Sequence, residues 1–232
     1  MLRNNIFWPH YIREAFTPRI DALADCLKRR ILPSFESVGE EAENLQEEEY
    51  KQMTSCASED ADPADLAEAA FNRGLDFYTT MMDMAQGIRN MFAAGLYHLF
   101  EQQLLLLHRR ELLDFEEEND ANLFSLNQAG KRLASHGICI EEFHSWPKIR
   151  ELRALANTIK HADGPACGEL KNLRPDLFCR PDARELGLPY LPGLKVFQPL
   201  TGESIYVTDD AFNEYVEAVK EFWFELIEAL EK

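Results

Sequence analysis

From Ile88 to Leu113 apolar residues run almost all the way round a helical projection. A helix without a polar face has to be covered on every side, so this segment needs other helices packed around it. It reads as the centre of a bundle. The apolar pattern also extends backwards. Phe71, Leu75, Phe77, Tyr78, Met81, Met82, Met84 and Ala85 give a wide face, and Pro63 stands just ahead of it. One or two long helices over 64–113 are therefore expected. The methionines suit irregular gaps in a core, and Gly74, Gly87 and Gly95 allow close helix approach or a bend. The longest apolar tract, 91–107, is broken by His98, Glu101, Gln102 and Gln103, which makes it too polar for a membrane span.

Further helices follow from periodicity. Ile20, Leu23, Ala24, Leu27 and Ile31 form a stripe within 10–32, where Pro18 predicts a bend and Pro33 an end. Residues 120–136 and 145–162 repeat the pattern, with Gly137 and Gly164-Pro165 as stops and Ser145 as a candidate cap. Thr208 or Asp209 caps the last helix, whose face runs from Phe212 and Tyr215 through Val219, Trp223 and Leu226 to Leu230. Between 163 and 193 lie five of the eleven prolines and four of the eleven glycines, which predicts a long irregular loop. Residues 194–199 and 203–207 flank Leu200-Thr201-Gly202 and predict a β-hairpin. The expected fold is mainly α, a helical bundle with a small β-hairpin before the C-terminal helix. It forms one domain over 1–232, with an acidic insertion at about 34–68 and the Pro/Gly-rich loop at about 163–193.

Charge is unevenly distributed. The chain carries a net −17, which argues against a surface that embraces nucleic acid along its whole extent. Twelve carboxylates against Lys51 alone lie between Glu36 and Glu68. Such a run reads as a solvated helix or mobile loop, or as an acidic arm that masks a basic site. Between Lys148 and Arg184, by contrast, eight Lys and Arg face five Asp and Glu. A local basic region inside an acidic protein is what an anion site requires. Five scattered cysteines without CxxC spacing fit thiols in a reducing cytoplasm. The first residues lack a signal-peptide core. No P-loop, GxGxxG or GxSxG is present. His98 and Glu101 share a face of the central helix, but paired Glu-x-x-His motifs are lacking, so neither a metal nor a cofactor is expected. Glu101 and His98 read instead as a buried polar pair or as support for the basic helix.

The basic region centres on 150–164, RELRALANTIKHADG. At about 100° per residue, Ile149, Leu152, Leu155, Ala156 and Ile159 fall in one arc that faces the core. Arg150, Arg153, Asn157, Lys160 and His161 fall in a neighbouring arc and can act on one surface. Part of this pattern is explained by cations near a helix C-terminus, which complement the macrodipole. Asn157 adds a group that donates and accepts hydrogen bonds, and His161 adds one that exchanges protons near neutral pH.

LRALANTIKHADG followed by ELKNLRPDLF resembles the HEPN superfamily, and within it bacterial proteins found beside defence genes. Many HEPN proteins are dimeric, metal-independent ribonucleases in which an Arg-x4–6-His motif from each subunit meets at one cleft. The resemblance implies His161 as the motif histidine and Arg153 as the nearest match to the arginine. Here seven residues separate the two, and Ala154 replaces the polar residue often found after the arginine. The implied function is an endoribonuclease of defence or toxin type. His161, Arg153 and Asn157 would be catalytic, Lys160 and Arg150 would bind RNA, and Glu101 and His98 would support them. The alternative is a non-catalytic module of the same kind that binds a partner protein or nucleotide. The expected setting is a cytoplasmic homodimer, without a membrane, acting on RNA or with a partner protein of a defence system.

Overall fold

The computed structural model describes residues 6–58, 60–187, 193 and 195–231. Glu59 of the acidic segment, residues 188–192 of the Pro/Gly-rich segment and Leu194 of the expected hairpin lie outside the described residues. The fold is mainly α.

Residues 7–35 make one helical rod: α1 (Phe7–Tyr11), a π turn (Ile12–Phe16), α2 (Thr17–Cys26), a second π turn (Leu27–Ile31) and a 3-10 turn (Leu32–Phe35). Each π turn comes just before a proline, Pro18 or Pro33. Proline offers no N–H and its ring crowds the carbonyl four residues back, and a wider turn relieves both problems. The Thr17 amide accordingly bonds the Ile12 carbonyl five residues back. Pro18 therefore widens the rod without ending it.

The acidic segment is helical. α3 (Val38–Cys56) packs back against the first half of α4 (Pro63–Leu107), a single helix of 45 residues. Asp62 caps α4, its carboxylate accepting from the Ala64 amide at 2.9 Å. The two helices meet closely at Gly74, where a Cβ would lie 2.9 Å from the Ala42 carbonyl oxygen. The second half of α4 runs through the bundle, although the side bearing Met91, His98 and Gln102 stays partly open. Ala93, Leu96, Phe100, Leu104 and Leu107 are fully buried, packed among α2, α5 (Leu126–Ser135), α6 (Trp146–His161) and α9 (Asp209–Leu230). Phe100 meets Phe222 edge-on at 4.8 Å, and Phe16 meets Trp223 at 4.8 Å. Thr208 caps α9, accepting from the Ala211 amide at 3.2 Å. No helix among the described residues is long and apolar enough to cross a membrane.

Three expectations are corrected. The helix expected over 120–136 begins only at Leu126, because Ser125 is extended and caps it through the Gln128 amide. The Pro/Gly-rich segment is largely helical among its described residues. It holds α7 (Pro165–Leu173), a 3-10 turn (Pro175–Phe178) and α8 (Pro181–Glu185), each with a proline in its first turn. The β-hairpin is not seen among the described residues, and 195–207 is a loop clamped to α4. The buried Asn90 amide donates to the carbonyls of Pro199 at 2.7 Å and Ile205 at 2.8 Å, taking acceptors that a ladder would have used. Gly87 and Gly202 make the clamp possible. A Cβ on Gly87 would collide with the Leu200 carbonyl oxygen, and Gly202 has φ +88° against the Asp83 carbonyl.

Candidate functional site

α6 is held at both ends. Its first turn leaves backbone amides without helical acceptors. Ser145 was the expected cap, but its backbone is already helical and its side chain caps nothing. Glu225 of α9 replaces it. That carboxylate accepts from the His144 amide at 2.6 Å and the Ser145 amide at 3.1 Å, and also from the Ser145 hydroxyl. A negative charge at a helix N-terminus is further favoured by the macrodipole. At the other end α6 stops at His161 because Ala162 turns to φ +56° and ψ −133°. Gly164, the expected stop, is merely extended. A positive φ on a non-glycine residue stores strain, and here it immediately follows the candidate histidine.

The core arc of α6 is as expected: Ile149, Leu152, Leu155, Ala156 and Ile159 are buried. On the outward arc Arg153, Lys160 and His161 are exposed and Asn157 is half-buried. None of these four side chains makes a hydrogen bond or ion pair among the described residues. Arg150 differs, since it pairs with Glu169 of α7 at 2.9 Å. The arc is thus split. Arg150 leans toward α7, whereas Arg153 leans toward α4 and α5.

Arg153 meets the groups from α4. Tyr97 is buried and its hydroxyl contacts Glu101 at 3.4 Å, while His98 lies 3.5 Å from the same carboxylate. Burial and the Glu101 charge push the Tyr97 phenol well above its ordinary value, and the nearby Arg153 guanidinium offsets part of that rise. Glu101 and His98 are therefore partners of each other and of Tyr97, on the Arg153 side of α6. Arg153 also lines a cavity of about 390 Å³, together with Lys131, Asn127, Cys139 and Trp146. Two cations, an amide and an indole face one space there beside the Glu141 carboxylate, a lining whose cations outnumber its anion. His161 does not line this cavity. Eight residues at about 1.5 Å per residue put it about 12 Å along the axis from Arg153. The chain thus brings Arg153, Tyr97, Glu101 and His98 together, with His161 at the far end of the same outward face.

Sequence reasoning missed Tyr97, Lys131 and Trp146. Tyr97 and Glu101 stand at i and i+4, a spacing that places both on one helical face, so this pair was legible. Lys131 has no such sign, because its position opposite Arg153 depends on how α5 packs. A second polar cluster behind α6 was missed as well. Buried Glu151 accepts from Arg174 at 2.7 Å and from the Tyr215 hydroxyl at 2.7 Å, and Lys148 lies 3.2 Å away. Arg174 also grips Asp176 through two bonds of 2.9 and 2.8 Å. The Asp176 hydrogen bonds raise Arg174 further above its already high value. Burial, followed by the Glu151 charge, raises the Tyr215 phenol. Every member is paired, and the cluster fastens α6, the 175–178 turn and α9 together.

No family model, no curated protein and no solved structure matches the chain.

Proposed function

We propose that the chain is an HEPN-like, metal-independent endoribonuclease whose working site is built from two copies. The observation that carries this reading is the outward arc of α6. It holds two cations, an amide and an imidazole without internal partners, on a helix whose ends are fixed. Unpaired cations on a rigid helix in a chain of net −17 are poised for an external anion. RNA cleavage needs a base for the 2′-hydroxyl, an acid for the leaving oxygen and positive charge around the phosphorane.

His161 serves as the proton-transfer group. Arg153 and Lys160 stabilise charge on the phosphoryl oxygens, and Asn157 orients the phosphate or the imidazole. The rise of about 12 Å from Arg153 to His161 spreads the two groups farther along the helix than the Arg-x4–6-His spacing does. A homodimer that sets His161 of one copy against Arg153 of the other closes that distance. Strain at Ala162 supports the reading, because strained backbone gathers at working sites.

The cavity lined by Trp146, Lys131 and Arg153 favours a second reading, a non-catalytic module that binds a nucleotide. One experiment separates the two. Purified protein is incubated with RNA in EDTA beside His161→Ala. Cleavage that the substitution abolishes supports the ribonuclease. Nucleotide binding without cleavage of varied RNAs supports the module.

A further inference from the structure

α4 carries a second feature that neither the bundle nor the α6 site uses. Phe71, Leu75, Tyr78 and Met82 are all large and apolar, yet each is between 39% and 51% exposed. They follow one another at steps of four, three and four, so they lie within about 60° on one face of α4. That face is not the one turned to α3, which is marked by buried Ala70 and by Gly74 against Ala42. A continuous stripe at this spacing is the pattern by which one helix receives another. Soluble chains rarely leave such a stripe open without use.

The surroundings of the stripe select its occupant. Arg73 and Glu49 meet at 3.9 Å on the side of the α3–α4 pair away from the stripe. Helical spacing then turns Glu43, Glu47 and exposed Tyr50 of α3 toward the stripe. Glu68 of α4 borders its other edge by the same spacing, and Asp65 and Asp76 lie farther round the helix. From Glu36 to Asp83 the sequence has fourteen carboxylates against Lys51 and Arg73. Lys51 is itself paired with Glu47 at 3.4 Å. This apolar seam, rimmed by a large excess of negative charge, repels RNA and anionic lipid. It repels a second copy of the same arm for the same reason. We infer that the α3–α4 arm is a docking surface for a basic amphipathic helix of a partner protein. About three turns of such a helix would cover Phe71 to Met82, with lysines or arginines reaching the rim carboxylates. This surface does not depend on the α6 reading, and either can fail alone.

The test is fluorescence anisotropy on the full chain with a fluorescein-labelled Leu/Lys peptide of about five helical turns. Leucine stands at i, i+3, i+4 and i+7 and lysine elsewhere. One control has the same composition in scrambled order, and the other replaces lysine with glutamate. The patterned basic peptide is expected to bind, and more weakly as salt rises. Leu75→Ser with Met82→Ser should weaken it roughly tenfold or more, and Glu43→Gln with Glu47→Gln should flatten its salt dependence. The serine substitutions lie on exposed positions, and an unchanged thermal melt by circular dichroism verifies that the variant folds. Three outcomes overturn the inference. The scrambled peptide binds equally, which means charge alone. The serine variant binds like the parent, which means another surface. The parent self-associates through the stripe in light scattering and the serine variant does not, which makes the occupant a second copy.

Discussion

Glu225 of α9 grips the start of α6, its carboxylate accepting from the Ser145 amide at 3.1 Å across 80 residues of sequence. The same carboxylate takes the His144 amide at 2.6 Å, so one side chain satisfies the two donors that lead into the first turn. Glu225→Ala should cost about 1–2 kcal/mol of stability, the range for a lost N-terminal cap. Urea denaturation compares the variant with the parent. Glu225→Gln should recover part of the loss, because its amide oxygen still accepts.

Glu151 links α6 to α9 on the opposite side. It receives Arg174 and the Tyr215 hydroxyl, and all three side chains are largely withdrawn from solvent. Removing one member of such a set strands its partners. Glu151→Ala should cost about 3–5 kcal/mol, whereas Tyr215→Phe, which removes a single donor, should cost about 1 kcal/mol. Denaturation midpoints order the two, and a larger loss from Tyr215→Phe would contradict the assignment.

The fold also predicts an acid-side loss of stability. His108 is fully buried, with its Nε2 3.1 Å from the Leu123 carbonyl oxygen and its Nδ1 without a partner among the described residues. Burial, the leading cause, lowers its tendency to protonate. The unfolded chain takes this proton below about pH 6.5 and the folded chain resists it, so stability falls as pH drops through that region. At Asp176 burial works upward, but the Arg174 grip prevails and holds the carboxyl below its ordinary value. Its contribution is complete above the unfolded carboxylate range and is lost as pH falls through the lower folded value. Melting temperature against pH should decline in two stages. His108→Gln, which keeps a donor for Leu123, should flatten the upper one, and Asp176→Asn the lower one.

Ala162 sits at φ +56° directly after His161. Glycine adopts that conformation without a Cβ clash, so Ala162→Gly should stabilise the fold by about 1 kcal/mol. A thermal melt measures this. If the strain serves the site, RNA cleavage by the more stable variant should be slower.

The elements legible in the sequence were those whose signal is local. The face of α9 from Phe212 to Leu230 is buried as its spacing implied, and Ile88 to Leu113 runs through the bundle centre. The errors came from groups distant in sequence. Nothing in 194–207 announces that Asn90 will take the Pro199 and Ile205 carbonyls and replace a hairpin. Nor does Ser145 show that Glu225 will cap its helix. At the candidate site the outward arc of α6 was legible from angular spacing. The Glu169 partner of Arg150 and the approach of Tyr97 and Lys131 to Arg153 depend on packing that spacing cannot convey.

Single-turnover cleavage in EDTA decides whether His161 and Arg153 act on RNA as proposed. Four proteins are compared: the parent, His161→Ala, Arg153→Ala and Arg29→Ala, the last altering an exposed cation on the N-terminal rod. The expected result is cleavage by the parent, a loss of roughly 100-fold or more for the two α6 variants, and an unchanged rate for Arg29→Ala. Cleavage by His161→Ala at the parent rate, or none by the parent on any RNA tried, would contradict it.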